Sequence, residues 1–133
     1  MILNFYRNLY LLLLLLLSFS IVKAQELPPI QNFSSNNYHA ENQNWAISQS
    51  IDKYIYVANN SGLLEFNGAN WQLYPSPNNT ILRFVSVIDN KIYTGGYMEF
   101  GYWEKNEFGK LMYTSLSEKI KKDLIEEDFW KII

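Results

Sequence analysis

Few side chains in this sequence have reactive chemistry. The single histidine, His39, lies in a polar stretch with no serine or carboxylate spaced to make a nucleophile–base pair with it. No cysteine is present, which removes thiolate metal sites, cysteine nucleophiles and disulfides together. Asp52 and Asp89 stand singly in turns, whereas a calcium ion needs several oxygen ligands. Each aspartate is therefore expected to accept backbone N–H groups within its turn. What remains is the chemistry of recognition. Tyr97, Tyr102 and Trp103 flank the Gly95-Gly96 turn, and Asn59, Asn60 and Glu99 lie in or beside turns. Aromatic faces can stack on sugar rings, while amides and a carboxylate can hydrogen-bond hydroxyls. Asn59, Asn60, Tyr97, Glu99, Tyr102 and Trp103 are thus the candidate ligand-binding residues, with packing between elements as the competing use of the aromatics. No catalytic residue, metal or cofactor is expected.

The elements that would position these residues are strands. Tyr54-Ile55-Tyr56-Val57 alternates in character, breaks at Asn59-Asn60-Ser61-Gly62 and resumes at Leu63. It reverses at Asn67-Gly68 and runs out through Trp71-Gln72-Leu73-Tyr74. Period-two alternation marks strands with one buried face. Asn-Gly predicts a two-residue type I′ hairpin, because glycine and asparagine tolerate positive φ. Sliding the chain by 37 aligns Ile47 with Phe84, Asp52 with Asp89, Ile55 with Ile92 and Tyr56 with Tyr93. Beyond the turn, Gly62-Leu63-Leu64-Glu65 falls on Gly101-Tyr102-Trp103-Glu104 at an offset of 39, which places two extra residues within 95–100.

A repeat of about forty residues with four short strands is the signature of a β-propeller blade. The expected fold is all-β: a partial propeller with blade 1 at 45–74, blade 2 at 81–114 and the first strand of a third blade at 129–133. Residues 25–44 form a lead-in along the first blade. Ser115-Leu116-Ser117-Glu118 has capping-box spacing and Leu116, Ile120 and Leu124 share a helical face, so a short inserted helix is expected within 115–128, from about Glu118 to Glu127. Trp45, Trp71, Phe84 and Trp130 are assigned to the core between blades. Since a closed ring needs about four blades, the 133 residues are expected to be the front of something longer, or a truncated reading frame.

Residues 1–24 read as a secretory signal peptide: Arg7, an apolar run from Leu9, then Val22-Lys23-Ala24 before Gln25. The alternative is an uncleaved anchor over 2–22, close to the ~20 residues that span a bilayer. The short apolar core and the cleavage-like tail favour export to the periplasm with a cut after Ala24. Removing Arg7 and Lys23 from the eleven basic residues leaves nine against thirteen acids, a net charge of −4. No basic stripe remains to neutralise phosphates, which argues against nucleic-acid binding by this segment.

Several segments together resemble the two-component-regulator propellers: Phe33-Ser34, Tyr38, Asn44 to Gln49, the run Ile55 to Trp71, and Glu99-Phe100-Gly101-Tyr102-Trp103. The resemblance covers roughly 30–133. It implies a non-catalytic exported sensor segment, part of a transcriptional regulator of the LuxR type or a hybrid histidine kinase. Its ligand would be an extracellular small molecule or oligosaccharide. It also implies downstream partners within a longer protein: further blades, a triple-tyrosine Ig-like domain and an output domain. Two other classes compete. A propeller-fold glycan-active enzyme would need two acids, or a tyrosine–histidine pair, converging on one channel. An adhesive propeller would carry no regulatory domains.

Cleavage is directly measurable. Mass spectrometry of the exported protein should find Gln25 as its first residue; an intact N-terminus retained in the membrane fraction would favour the anchor.

Overall fold

The computed structural model describes residues 2–19, 27–120 and 127–131 of the chain. It separates into two units, Met1–Gln31 and Asn32–Ile133. In the first, Ile2–Phe19 forms helix α1, a leucine-rich run with neither glycine nor proline to interrupt it. The side chains from Leu3 to Leu15 are exposed. Among the described residues, no helix is long and apolar enough to cross a membrane. The junction at Ala24 lies outside the described residues.

The second unit is mostly β. After a single helical turn, α2 (Ser35–Tyr38), come β1 (Asn44–Gln49), β2 (Ile55–Asn59), β3 (Gly62–Phe66) and β4 (Trp71–Pro75). These make one antiparallel sheet in the order β1-β2-β3-β4. A second meander repeats it with β5 (Leu82–Ile88), β6 (Lys91–Gly96), β7 (Glu99–Lys105) and β8 (Leu111–Ser115) in the order β5-β6-β7-β8. The two sheets are separate and stack face to face. Tyr56, Ala58 and Leu63 from the first sheet and Leu82, Val85, Ile92, Trp103 and Leu111 from the second form one buried cluster. A hydrogen bond from Val87 N–H to Ser48 Oγ (3.0 Å) ties the first strands of the two sheets, and Lys105 Nζ lies 3.7 Å from Glu65 Oε2 across the gap.

The opposite face of the first sheet is covered by the lead-in. Phe33, Tyr38 and Ala40 pack on Val57, Leu64, Trp71 and Leu73. Strand β2 is therefore buried on both faces, not on one as alternation predicts. Leu63 and Leu64 point to opposite sides and are each at most 1% exposed. Burying each contributes about 1.5–3 kcal/mol.

Local geometry differs from the sequence reading at several points. Asn67-Gly68 does not make a two-residue turn. Phe66 pairs with Trp71, leaving a four-residue loop that the Asn67 side chain closes by accepting the Ala69 and Asn70 N–H groups (2.9 and 2.8 Å). Asn106 does the same for Phe108 and Lys110 in the second sheet (both 3.0 Å). Two-residue turns stand at Asp89-Asn90, bounded by the pair Ile88–Lys91, and at the matching hairpins Asn60-Ser61 and Tyr97-Met98, bounded by the pairs Asn59–Gly62 and Gly96–Glu99. These turns are equal, so no insertion lies in 95–100; instead β7 runs two residues further than β3 before its turn. In the first strands the ladder matches Ser48 with Ser86, an offset of 38, because the connection to the second strand is one residue shorter in the second sheet: Ser48 pairs with Tyr56 and Ser86 with Tyr93. Asp52 accepts the Ser50 hydroxyl in place of a backbone N–H.

The expected helix from Glu118 does not extend through Ile120. Ser117–Lys119 is one 3₁₀ turn and Ile120 is extended (φ −104°, ψ 143°), while residues 121–126 lie outside the described residues. The expected third inner strand is, over 127–131, a short extended segment with one bridge, Tyr97 to Asp128. Residues 132–133 lie outside the described residues. This segment is held by Met98 N–H to Glu127 O (3.2 Å) and Phe129 N–H to Gly96 O (3.0 Å). Phe129 also packs against Phe100, their ring centroids 4.6 Å apart and their planes tilted by 45°. A Cβ at Gly95 would stand 2.7 Å from that of Phe129, so the close approach needs glycine.

Gly62 is obligatory as well. It has φ +138°, and an added Cβ would meet the Tyr74 carbonyl and lie 2.7 Å from Ser76 N. We expect Gly62→Ala to lower stability by about 2–4 kcal/mol, read as a lower urea midpoint. An unchanged midpoint would contradict this turn geometry.

Candidate functional site

The register brings the β2–β3 and β6–β7 hairpins to the same end of the stacked sheets as the starts of β1 and β5. Asn60 and Tyr97 meet the solvent there. Asn60 Oδ1 accepts the Trp45 indole N–H (2.8 Å), and its amide nitrogen donates to Glu41 Oε2 (2.9 Å). Tyr97 is 53% exposed beside the bridge to Asp128.

Of the other candidates, Asn59, Glu99 and Trp103 are turned inward and Tyr102 lies on the outer face of its sheet. Asn59 is fully buried, and its amide nitrogen donates to Glu41 O, Gln43 O and Asn44 Oδ1 (2.6, 3.0 and 2.7 Å). Its Oδ1 accepts the Ser61 N–H (2.8 Å), so this side chain fastens the lead-in to the hairpin. Glu99 Oε1 accepts the hydroxyls of Tyr113 (2.8 Å) and Ser115 (2.7 Å). Trp103 is in the inter-sheet core and its indole N–H donates to Thr94 Oγ1 (2.9 Å). Tyr102 is half-buried on the opposite face of that sheet from Trp103, with Lys91 Nζ 3.9 Å from its ring centroid.

Two aromatics assigned to the core stand instead at the rim: Trp45 is 40% exposed and Trp130 59% exposed. Trp71 is not between the sheets either: it packs under the lead-in on the other face of the first sheet, stacked on Phe66 (4.7 Å) and edge-on to Phe33 (5.4 Å). Phe84 is half-buried. The cause for Trp45 is a bulge. Asn44 pairs with Asn59 and Ala46 with Ala58, leaving Trp45 as the extra residue that leaves the alternation. The same shift between Leu82 and Phe84 makes Arg83 the extra residue of the second sheet. Arg83 was not singled out by sequence. The signal for it was the offset of 38, which matches Trp45 with Arg83 and Ser48 with Ser86.

Trp45, Arg83, Trp130 and Asp128 thus meet at the rim. The Arg83 guanidinium carbon is 4.0 Å from the Trp45 ring centroid and 5.2 Å from that of Trp130. The two indoles stand nearly perpendicular, 5.9 Å apart at 81°. Asp128 Oδ2 is 3.8 Å from Arg83 Nε, which balances charge without making a hydrogen bond. At the opposite end of the sheets, a cleft of about 410 Å³ is lined by Ser50, Asp52, Tyr56, Asp89, Glu104 and Lys105 among others. Among the described residues no three acidic or histidine side chains are grouped to hold a metal. His39 ends α2 in the left-handed conformation (φ 52°) and is exposed.

Burial shapes the phenols behind both ends. Burial first, then the Glu65 carboxylate, pushes the Tyr56 phenol well above the ordinary tyrosine value. Burial and then the hydrogen bond to Glu99 do the same for Tyr113. The folded chain therefore holds these protons to higher pH than the unfolded chain does. Their stabilisation is intact below about pH 10, the unfolded value, and is lost as pH rises through the folded values. Alkaline titration should show phenolate absorbance from these two tyrosines only together with loss of near-UV circular dichroism. All ten tyrosines ionising near their ordinary value in a folded chain would refute it. No family model, curated protein or solved structure matches this chain.

Proposed function

We propose that the chain is the exported, non-catalytic ligand-recognition segment of a signal-transduction regulator. In this reading the two meanders are propeller blades, and the rim carrying Trp45, Asn60, Arg83, Tyr97 and Trp130 is the mouth that receives a saccharide. The observation that supports it most is the repetition of the stacking, beyond that of the strands. Tyr56, Ala58 and Leu63 present the face of the first sheet that the second sheet covers. By ladder register their counterparts in the second sheet are Tyr93, Gly95 and Phe100. Phe129 packs on two of these three, Gly95 and Phe100. Each sheet thus offers the same face to whatever follows it in the chain, which is how blades succeed one another.

The rim has the composition of a saccharide site: exposed indoles to lie against ring C–H groups, and an amide, a phenol and a guanidinium for hydroxyls. Export follows from the leader-like residues 1–24, and the regulatory context from the family resemblance of 30–133.

A glycan array probed with the full chain should retain at least one oligosaccharide. Trp45→Ala should reduce that retention about tenfold or more, in line with the loss of a central aromatic contact. A chain with intact near-UV circular dichroism that retains no sugar would overturn the reading.

A further inference from the structure

We propose that Arg83 makes the rim selective for a carboxylated sugar, a hexuronate, whose ring lies against Trp130 and Trp45. The proposal rests on the saccharide reading above and narrows it to a charge class.

The argument starts from what the guanidinium lacks. Arginine carries five N–H donors in a fixed planar fork. In Arg83, Nε and Nη1 are buried and have no hydrogen-bond partner among the described residues. The side chain as a whole keeps 18% of its surface exposed, and the Asp128 carboxylate lies against its Nε. The Trp45 indole lies over the group at 4.0 Å, with the Trp130 indole further off at 5.2 Å. With two indoles beside the group, the approach left to a ligand is the edge that Asp128 lies against. A planar carboxylate that displaces Asp128 there can accept two parallel N–H bonds, from Nε and the neighbouring Nη.

Charge narrows the ligand further. Among the described residues Arg83 is the cation beside the two indoles, Asp128 lies 3.8 Å from it, and Glu41 is joined to Trp45 through Asn60. A ligand with several negative charges meets these carboxylates, so a single planar anion is favoured. Trp130, 59% exposed, then has a free surface for the apolar side of a pyranose ring. Asp128 occupies the place of the ligand's carboxylate at a distance too long for a hydrogen bond. It therefore acts as a weak internal competitor, carried on the same 127–131 segment as Trp130.

The test is a titration of the full chain, followed by tryptophan fluorescence, with methyl β-D-glucuronide, methyl β-D-glucoside and glucose 6-sulfate. The glucuronide should bind at least tenfold more tightly than either of the others. Arg83→Gln should erase that preference, and Asp128→Asn should tighten glucuronide binding severalfold. The second variant keeps the proposal testable if the first does not fold. Equal binding of glucoside and glucuronide would overturn the carboxylate assignment while leaving the saccharide reading in place. Equal binding of the sulfate would overturn the planar-anion argument. Weaker glucuronide binding by Asp128→Asn would overturn the competitor role. Absence of binding by all three sugars, to the wild type and to Asp128→Asn alike, would overturn this proposal; the saccharide reading would fall with it only if the array also retained nothing.

Discussion

The apolar interface between the two sheets is the constraint on which the rest of the structure depends. Leu63 and Ala58 on one side meet Leu82, Val85, Ile92 and Trp103 on the other, with almost no exposure left on any of them. A four-stranded meander of five- to seven-residue strands is too small to bury both of its faces alone. Once the sheets stack, polar groups caught at the seam must also be matched. Ser48 accepts the Val87 N–H, Trp103 donates to Thr94, and Glu65 is faced by Lys105. Lys105 also lies 3.7 Å from the Tyr54 ring centroid, so one cation closes the seam by charge and by its contact with an aromatic face. Buried charge contributes little by itself, and the apolar area carries the interface.

The same stacking decides what is left for recognition. Side chains that point along the stacking direction are consumed by it, as Trp103 and Glu99 are. Those free to meet a ligand are the ones displaced from the alternation, at the hairpin ends and at the bulges. A bulge near the start of β1 and another near the start of β5 each release one residue toward the rim, Trp45 and Arg83. The segment 127–131 then closes over them, held by backbone hydrogen bonds to the β6–β7 hairpin and by Phe129 on Gly95. Structural and recognition roles thus separate by geometry within a single repeated unit.

Much of the local structure was legible in the residues. The alternation at Ile55-Tyr56-Val57-Ala58, the turn aspartates and the matching of Tyr56 with Tyr93 placed the strands and their repetition within a residue or two. The turns were less legible. Asn67-Gly68 suited a tight hairpin, yet the Asn67 side chain held a wider loop by satisfying two backbone N–H groups itself. The helix expected from Leu116, Ile120 and Leu124 had the right spacing, but at Ile120 the backbone is already extended. Of the candidate site residues, Asn60 and Tyr97 reach the rim, because hairpin tips project whatever the register. Asn59 and Trp103 do not, since their strands are covered.

What the residues determined alone is therefore local: eight strands in two meanders, joined by turns whose asparagines and glycines permit the backbone they need. These follow from side-chain period and from φ preferences, which act over a few residues. Tertiary structure decided which side of each sheet a residue faces and which distant residues meet. A one-residue bulge reverses the facing of what lies beyond it, and no local preference announces it. Contact of Trp130 with Trp45 and Arg83 depends on two sheets stacking and a third segment docking. That outcome is set by the burial of apolar area summed over the whole interface and is carried by no short stretch of chain.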